Sequence, residues 1–270
     1  MCGIGAISSI KPSNTLLMRE FLDMCYLSFV ARRGSHSSGI AWIADDEIKS
    51  AKSLGAPGEK IYTTAADSPT TQAVIGHVRY ASQGAINLKN AHPFYNEDKS
   101  MTIIHNGHLH NSHELRSKLA PTHKLETETD SELILHLFEG KLSAVHTPLS
   151  YAQALRDATD ECSGQRNVII LLKDGTIVAH ADAALCIEKS DNGIRLASVP
   201  TTRSNRWSKL DAGTVVVIKN GELLSKLDPA PPKYIPYVYE DDEIVIPTQT
   251  KIFPGLSWSG KKKIDWGFYK

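Results

Sequence analysis

The sequence lacks an excess of charge of either sign. Its 270 residues carry 30 lysines and arginines against 30 aspartates and glutamates. Such a balance gives no general attraction to nucleic acid or to an anionic membrane surface. No apolar run approaches the roughly 18 residues that a membrane-spanning helix needs, and the N-terminus has neither the basic nor the apolar region of a secretory signal. We therefore expect a cytoplasmic protein that binds neither nucleic acid nor membrane.

Cysteines are few and widely separated. The four of them, Cys2, Cys25, Cys162 and Cys186, include no CxxC pair, so nothing in the sequence indicates a disulfide framework. Cys25 falls on the apolar side of a helical stretch and Cys186 within a strand-like run, and we expect both in the core. Only Cys2 has a position that implies chemistry.

The pattern of apolar residues predicts an α+β fold. Helical spacing marks residues 14–30, 112–119, 131–138 and 150–162, and Ser150 is a suitable N-cap for the last of these. Alternating or apolar runs bounded by turn residues predict strands before and after these helices. The predicted strands are 2–8, 39–44, 48–54, 74–81, 101–109, 168–172, 176–180, 184–188, 194–199 and 214–219. Early and late strands that bracket central helices favour layered sheets with helices outside.

The periodic pattern stops near residue 227. Residues 229–232 read Pro-Ala-Pro-Pro, a stiff extended stretch, and an acidic run, a basic run and several aromatic side chains follow. We therefore expect a domain at 2–226 and a C-terminal tail at 227–270. Aromatic enrichment is typical of interfaces, and it fits both a tail that packs on its own domain and one that docks a partner.

The N-terminus can supply a nucleophile that carries its own base. Removal of Met1 would leave Cys2 with its thiol and a free α-amine on one carbon. The amine can take the thiol proton, directly or through one water, and the thiolate can then attack a carbonyl. A Met-Cys start is common by chance, so this interpretation depends on residues further along the chain.

Later segments supply the other groups that hydrolysis of an amino-acid side-chain amide requires. The Asn106 amide and the Gly107 backbone N–H can donate to a tetrahedral oxyanion, each donor being worth about 3 kcal/mol. Arg79 can grip an α-carboxylate with two hydrogen bonds, and Asp130 can pair with an α-ammonium group. Together they describe a pocket for a free α-amino acid whose side chain points at the Cys2 thiol.

These segments closely resemble the glutaminase domain of the class II glutamine amidotransferases, an N-terminal-nucleophile (Ntn) family that includes glucosamine-6-phosphate synthase, amidophosphoribosyltransferase and asparagine synthetase. The resemblance covers roughly residues 2–224 and follows the family's motifs in order. Those motifs are Cys2-Gly3-Ile4, Gly76–Ser82, Asn90–Pro93, Asn106-Gly107 and Thr129–Glu132. The resemblance implies a four-layer αββα Ntn-hydrolase sandwich that hydrolyses L-glutamine to glutamate and ammonia through a γ-glutamyl thioester on Cys2.

The resemblance also implies a role for each matching residue. Cys2 is the expected nucleophile, Asn106 and Gly107 the oxyanion donors, and Arg79 and Asp130 the groups that hold the α-carboxylate and the α-amine of glutamine. The other expected pocket residues are Arg33, Tyr80 and Ser82. The reaction needs no metal and no organic cofactor. No synthase or ligase domain follows residue 224, so we expect the ammonia acceptor on a separate subunit; a homo-oligomer is also compatible with the sequence.

The sequence departs from the family pattern at several positions, of which two lie close to the expected pocket. His36 stands in the loop after Arg33 where the family has aspartate, which predicts different local contacts. Ser82 replaces a threonine and keeps the hydroxyl. Neither change removes a catalytic group.

Four histidines follow one another closely along the chain. They are His105, His108, His110 and His113. A zinc site needs ligands brought to one point, and the spacing here provides no cysteine or acidic partner. We expect surface or loop histidines. His77 and His92 are expected to support the pocket structure rather than act as bases.

Two other functions stay open at this point. A different Ntn hydrolase, acting on another γ-glutamyl or amide substrate, would keep Cys2 and the oxyanion donors, and a substrate panel would distinguish it. A non-catalytic scaffold subunit that retains the fold is the second alternative. Retention of Met1 would favour the scaffold, because the base would then be an amide nitrogen.

Overall fold

A computed structural model describes residues 2–13, 34, 36–57, 61, 70–182, 185–200 and 206–229. The predicted helix at 14–30 and the predicted pocket residue Arg33 lie outside these ranges. So does nearly all of the predicted tail at 227–270, and the domain boundary near residue 227 stays a prediction. Within the described ranges, no helix is long and apolar enough to cross a membrane.

Thirteen strands and three helices lie in the described ranges. In chain order the strands are β1 (Gly3–Ser13), β2 (Ser37–Ala44), β3 (Glu47–Leu54), β4 (Thr71–Arg79), β5 (Phe94–Tyr95), β6 (Met101–Leu109), β7 (Gly164–Leu172), β8 (Ile177–His180), β9 (Cys186–Ser190), β10 (Gly193–Ala197), β11 (Trp207–Lys209), β12 (Val215–Lys219) and β13 (Glu222–Leu227). The helices are α1 (Ser112–Leu119), α2 (Ser131–Lys141) and α3 (Pro148–Asp160).

The strands form two sheets. Sheet A has the order β11-β9-β10-β1-β4-β2-β3, and sheet B has the order β13-β12-β8-β7-β6-β5. In sheet A, β1 lies between β10 and β4 and pairs antiparallel with both. Because Gly3 pairs with Val78, the residue before β1 and the residues at the end of β4 lie side by side. This register is what brings Cys2 next to Arg79.

Three apolar clusters separate the layers. One lies between the two sheets and contains Ile4 of β1, Ile75 of β4 and Ile104 of β6. A second joins the three helices to the other face of sheet B, and Phe138 of α2 is fully buried there. The third covers the outer face of sheet A and includes Ile61. Burial on both faces explains why the central strands read as continuous apolar runs.

Most of the predicted elements are present, with shifted ends. The hairpin expected around Asp45 and Asp46 joins β2 to β3, and both residues have positive φ (53° and 57°), as a two-residue type I′ turn requires. Helix α1 has the predicted bounds. Strands β5, β11 and β13 were not predicted. The first two have only two or three residues, which carry no usable periodicity.

The predicted start of α3 is wrong, because Ser150 is not its N-cap. The cap is Thr147, whose side chain accepts from the Ser150 backbone N–H at 3.1 Å, while the Ser150 hydroxyl accepts from the Thr147 N–H at 2.8 Å. This reciprocal capping box starts the helix at Pro148, whose fixed φ suits the first helical position.

Candidate active site

A small cleft lies where the start of β1, the end of β4, strand β6 and the first turn of α2 meet. The predicted site residues that line it are Cys2, Arg79, Tyr80, Ser82, Gly107 and Asp130. Other lining residues include His92, His105 and Ser131. Asn106 is not among the lining residues. The fold therefore gathers at one point side chains from segments that are far apart in the chain.

The Cys2 thiol lies against the backbone of Tyr80. The Tyr80 N–H donates to Sγ at 3.3 Å, and Sγ is 3.5 Å from the Tyr80 carbonyl oxygen. Burial raises the pKa of the Cys2 thiol above its ordinary value, although the Tyr80 hydrogen bond and the charge of Arg79 oppose part of this increase. The thiol is thus mainly protonated at neutral pH and needs a base to become a nucleophile.

Arg79 is a buried cation at the end of β4, with 3% of its surface exposed. Its guanidinium donates to three consecutive carbonyl oxygens, those of Gln83 at 2.5 Å, Gly84 at 3.5 Å and Ala85 at 3.3 Å. Burial lowers its pKa, yet an arginine keeps its charge near neutral pH. Carbonyl groups orient the guanidinium without neutralising it, so the site suits an anionic ligand such as a carboxylate.

The loop that orients Arg79 is itself fixed by Asn90 and Glu128. The Glu128 carboxylate accepts from the Ala85 N–H and from the Asn90 side-chain amide, both at 2.8 Å, and the Asn90 oxygen accepts from the Glu128 N–H at 3.0 Å. Gly84, at the tip, has a φ of +76°, which favours glycine. Asn90 is part of a predicted motif, but Glu128 carries no sequence signal of its own and was missed.

Asp130 holds α2 to the end of β6. It occupies the N-cap position of α2, but its side chain makes no capping bond. Instead the carboxylate accepts from the Leu109 backbone N–H at 2.8 Å and from the Ser131 hydroxyl at 3.3 Å. The two bonds engage different carboxylate oxygens, and Asp130 is among the residues that line the cleft.

His105 belongs to the cleft and was wrongly expected on a loop or surface. It is buried in β6, and its Nε2 donates to the Gln165 carbonyl oxygen at 3.0 Å while Nδ1 lies 3.0 Å from the Ser131 hydroxyl. Its Nδ1 is 3.9 Å from Asp130. The strand periodicity of residues 101–109 placed His105 on a buried face, and that signal could have found it.

His77 and His92 support the cleft from behind. Their rings are 3.8 Å apart, and His77 Nε2 donates to the His105 carbonyl oxygen at 3.0 Å. Burial lowers the pKa of His77 to about 3 and that of His92 well below its ordinary value. Both rings are therefore neutral at physiological pH, which fits the supporting role expected from the sequence.

The two expected oxyanion donors follow one another in β6. A Cβ at Gly107 would lie 1.8 Å from the Gln165 carbonyl oxygen, so only glycine fits there. Asn106 is 8% exposed. Side chains alternate along a strand, so Asn106 shares the face of Ile104, which packs between the sheets. That face is the one directed toward sheet A, which carries Cys2.

His36, which replaces the family aspartate, contacts the rim of the cleft. Its Nδ1 accepts from the Ala81 backbone N–H at 2.8 Å, and its ring stacks on Tyr80 with centroids 4.9 Å apart. An aspartate oxygen could accept the same hydrogen bond, but it could not stack. Tyr80 is 51% exposed, so the pair forms part of the mouth of the cleft.

Two solved structures define the class of the fold. The glutamine phosphoribosylpyrophosphate amidotransferase of Bacillus subtilis, complexed with ADP and GMP, is similar over 84% of this chain and 49% of its own, with a TM-score of 0.66 at 17% identity. A glutamine aminotransferase class-II domain protein from Silicibacter pomeroyi is similar over 85% of this chain and 100% of its own, with a TM-score of 0.57 at 15% identity. The fold is the four-layer αββα sandwich of the Ntn hydrolases, as predicted.

Sequence relatives place the chain within that class. The pattern of the family described as class-II glutamine amidotransferases matches residues 22–189. A glutamine–fructose-6-phosphate aminotransferase of Methanococcus maripaludis is 35% identical over 178 residues, 64% of this chain and 28% of that protein. An amidophosphoribosyltransferase of Methanocaldococcus jannaschii is 28% identical over 247 residues, 87% of this chain and 51% of that protein. This chain belongs to the class II glutamine amidotransferase family, and it spans between about a quarter and a half of these relatives.

Proposed function

We propose that this chain hydrolyses L-glutamine to glutamate and ammonia at the Cys2 cleft. The observation that carries the proposal is the meeting of three groups in one cleft: the Cys2 thiol, the Arg79 guanidinium and the Asp130 carboxylate. A nucleophile, a cation and an anion match the γ-amide, the α-carboxylate and the α-ammonium group of one glutamine molecule. Family membership supports the same activity.

The first half of the reaction forms a tetrahedral intermediate on Sγ. After Met1 removal, the free α-amine of Cys2 takes the thiol proton, and the thiolate attacks the γ-amide carbon of glutamine. A free α-amine has a pKa of about 7.7–8.0, so it is a suitable base for a thiol whose own pKa is raised by burial. The Asn106 side-chain amide and the Gly107 N–H donate to the oxyanion of the tetrahedral intermediate.

The second half releases both products. The protonated amine of Cys2 gives its proton to the departing nitrogen, the carbon–nitrogen bond breaks, and ammonia leaves a γ-glutamyl thioester on Sγ. The amine then accepts a proton from water, the hydroxide attacks the thioester carbon, and the carbon–sulfur bond breaks. Glutamate leaves and the thiol is restored. No step requires a metal or an organic cofactor.

The amino-acid end of glutamine is held by charge. Arg79 donates to the α-carboxylate, and its orientation is set in advance by the carbonyl groups of the 83–85 loop. Asp130 accepts from the α-ammonium group while the Leu109 N–H fixes its other oxygen. Tyr80 and Ser82 complete the wall of the cleft, and we assign Arg33 to the same pocket.

Ammonia released here passes to an acceptor. Class II glutamine amidotransferases use glutamine as a nitrogen donor, and the two named relatives are longer proteins of which this chain matches 28% and 51%. We propose that the acceptor site lies on a separate synthase or ligase subunit. Co-purification of the full chain with such a subunit, followed by a glutamine-dependent amination assay, would test this part on its own.

Release of glutamate from glutamine by the purified full chain tests the activity. We expect Cys2→Ala to lower the rate by at least about 1,000-fold, because the nucleophile acts in every step. Cys186→Ala is the matched control, since Cys186 lies in β9 outside the cleft, and it should keep full activity. A Cys2→Ala protein as active as the control would refute the proposal.

A further inference from the structure

A second group of ionisable side chains lies apart from the Cys2 cleft. It consists of Glu97, His123, His136 and Glu139, which we call the His–Glu cluster. Glu97 follows β5, His123 follows α1, and the other two lie three residues apart on α2. Residues three apart share one face of a helix. The fold thus brings three separate segments to one point, with two imidazoles and two carboxylates.

The donor atoms of the cluster are spaced as metal ligands are. One donor atom from each residue can be chosen so that all four lie within 4.8 Å of one another. His136 Nδ1 lies 3.5 Å from Glu139 Oε2 and 3.6 Å from Glu97 Oε2, and His123 Nδ1 lies 3.4 Å from the other oxygen of Glu97. Ligands about 2.0 Å from a tetrahedral zinc ion are about 3.3 Å apart, so the two His136 pairs are within a few tenths of an ångström of that spacing, and the remaining donor atoms need larger shifts from within 4.8 Å.

Among the residues that the structure describes, three polar atoms at this point are buried and find no hydrogen-bond partner. They are both ring nitrogens of His136 and one carboxylate oxygen of Glu139. His136 is 1% exposed. Buried polar atoms are nearly always hydrogen-bonded, and leaving one unpaired destabilises the fold. Such a concentration of unpaired donor atoms of metal-ligating type indicates that a further group belongs among them.

Direct pairing within the cluster does not satisfy these atoms. A hydrogen bond from an imidazole N–H to a carboxylate is 2.7–3.2 Å long, whereas His136 Nδ1 is 3.5 and 3.6 Å from its two carboxylate neighbours. The distances are too long for hydrogen bonds and close to those between ligands of one ion. A metal ion between the groups accounts for this spacing.

We propose that the His–Glu cluster binds one divalent transition-metal ion of the zinc type. Neutral imidazole favours zinc, cobalt or nickel over magnesium and calcium, which prefer oxygen ligands alone. The four ligands come from the protein and leave no open position, which is typical of a structural rather than a catalytic ion. The ion would tie the segments that carry Glu97 and His123 to α2.

The surroundings of the cluster hold its carboxylates in place. The Asn96 side-chain amide donates to Glu139 at 2.8 Å, and the Lys124 backbone N–H donates to Glu97 at 3.1 Å. Hydrogen bonds of this kind orient metal ligands in known sites. Each carboxylate keeps a second oxygen for the ion, and the one on Glu139 is an unpaired atom.

Metal titration of the chelator-stripped full chain tests the proposal. A free N-terminal cysteine can itself chelate metal through its thiol and amine, so the measurements use the Cys2→Ala protein. We expect one Zn²⁺ per chain by calorimetry and a tetrahedral Co²⁺ absorption spectrum without a thiolate charge-transfer band. Zinc should raise Tm by about 5–10 °C at a concentration 100-fold above Kd.

Variants separate the cluster from other metal binding. Glu97→Gln is nearly isosteric and its side chain is 42% exposed, so it should fold normally while affinity for Zn²⁺ falls about 100-fold or more; Glu97→Gln with His123→Gln should abolish the Tm increase. His113→Gln, at an exposed position of α1, is the matched control and should bind like the parent. The proposal is overturned if the parent binds zinc no better than the double variant, or if the Co²⁺ spectrum is octahedral.

Discussion

At the level of single residues, the proposed binding of glutamine rests on Arg79 and Asp130. One is a buried cation held by carbonyl oxygens, and the other is a buried carboxylate with one oxygen engaged by a backbone N–H. Charged side chains are rarely buried unless a partner compensates them. In the proposed function, the α-carboxylate and the α-ammonium group of glutamine supply these two partners.

Substitution of Arg79 by lysine tests the carboxylate clamp. Lysine keeps the charge but loses the planar fork and the contacts with the 83–85 loop. We expect KM for glutamine to rise by about 10- to 100-fold, because a charge-assisted bidentate contact is worth about 1.5–3 kcal/mol. Steady-state kinetics of glutamate release measure this change. An unaltered KM would mean that another residue binds the carboxylate.

The loop of residues 81–90 is the element that prepares the cleft for its ligand. Its conformation depends on Glu128, whose pKa is held below its ordinary value by the Ala85 N–H and then by Asn90. Because the loop carbonyls in turn orient Arg79, the effect of Glu128 on glutamine binding is indirect. It acts as a positioning residue.

Glu128→Ala should therefore raise KM by roughly tenfold and leave kcat nearly unchanged, since the chemical groups at Cys2 stay in place. Glu128→Gln keeps one acceptor oxygen and should restore most of the affinity. Kinetics of the two variants against the parent measure the difference. Equal KM values for the alanine variant and the parent would show that Glu128 does not position Arg79 for glutamine binding.

The elements themselves were predictable to different degrees. Strands β6 and β7 and the α1 helix follow from apolar periodicity, because their buried faces are long enough to show it. The start of α3 was misplaced because both Thr147 and Ser150 are residue types that cap helices well. The two reciprocal hydrogen bonds between them, which make Thr147 the N-cap, are seen only in the structure. Strand β5 is set by tertiary pairing with β6 and has no local signal.

The sequence predicts those residues of the site that stand in recognisable motifs, and it does not predict the others. Cys2, Arg79 and Asp130 stand in motifs, and the register of β1 with β4 brings the first two together. His105 and Glu128 act through contacts with distant segments, so residue type alone could not assign them. The His–Glu cluster was missed for the same reason: its members lie on three segments, and the adjacent histidines of the sequence are a different set.

Acid sensitivity is a property of the whole molecule that follows from its buried histidines. The folded-state pKa of His77 is about 3, against about 6.5 in an unfolded chain, and that of His92 is also far below its ordinary value. The unfolded chain therefore binds more protons at low pH. The contribution of these neutral rings to the free energy of unfolding is fully present above about pH 6.5, and it is lost as the pH falls toward 3.

Urea unfolding at a series of pH values measures this loss. Between about pH 6 and pH 4, His77 should lower the free energy of unfolding by about 1.4 kcal/mol per pH unit, and His92 should lower it further. His77→Gln should be less stable at pH 7 but should show a shallower slope below pH 6. A parent stability independent of pH over this interval would contradict the neutral state assigned to the two rings.

The central claim is that Cys2 is a processed N-terminal nucleophile in a glutamine site. Intact mass of the natively expressed full chain, before and after treatment with the glutamine-like electrophile 6-diazo-5-oxo-L-norleucine, tests it most directly. The account predicts a mass without Met1 and a single adduct on Cys2, blocked by excess glutamine and absent from Cys2→Ala. Retained Met1 with no adduct would contradict the claim and leave a non-catalytic subunit that has kept the fold.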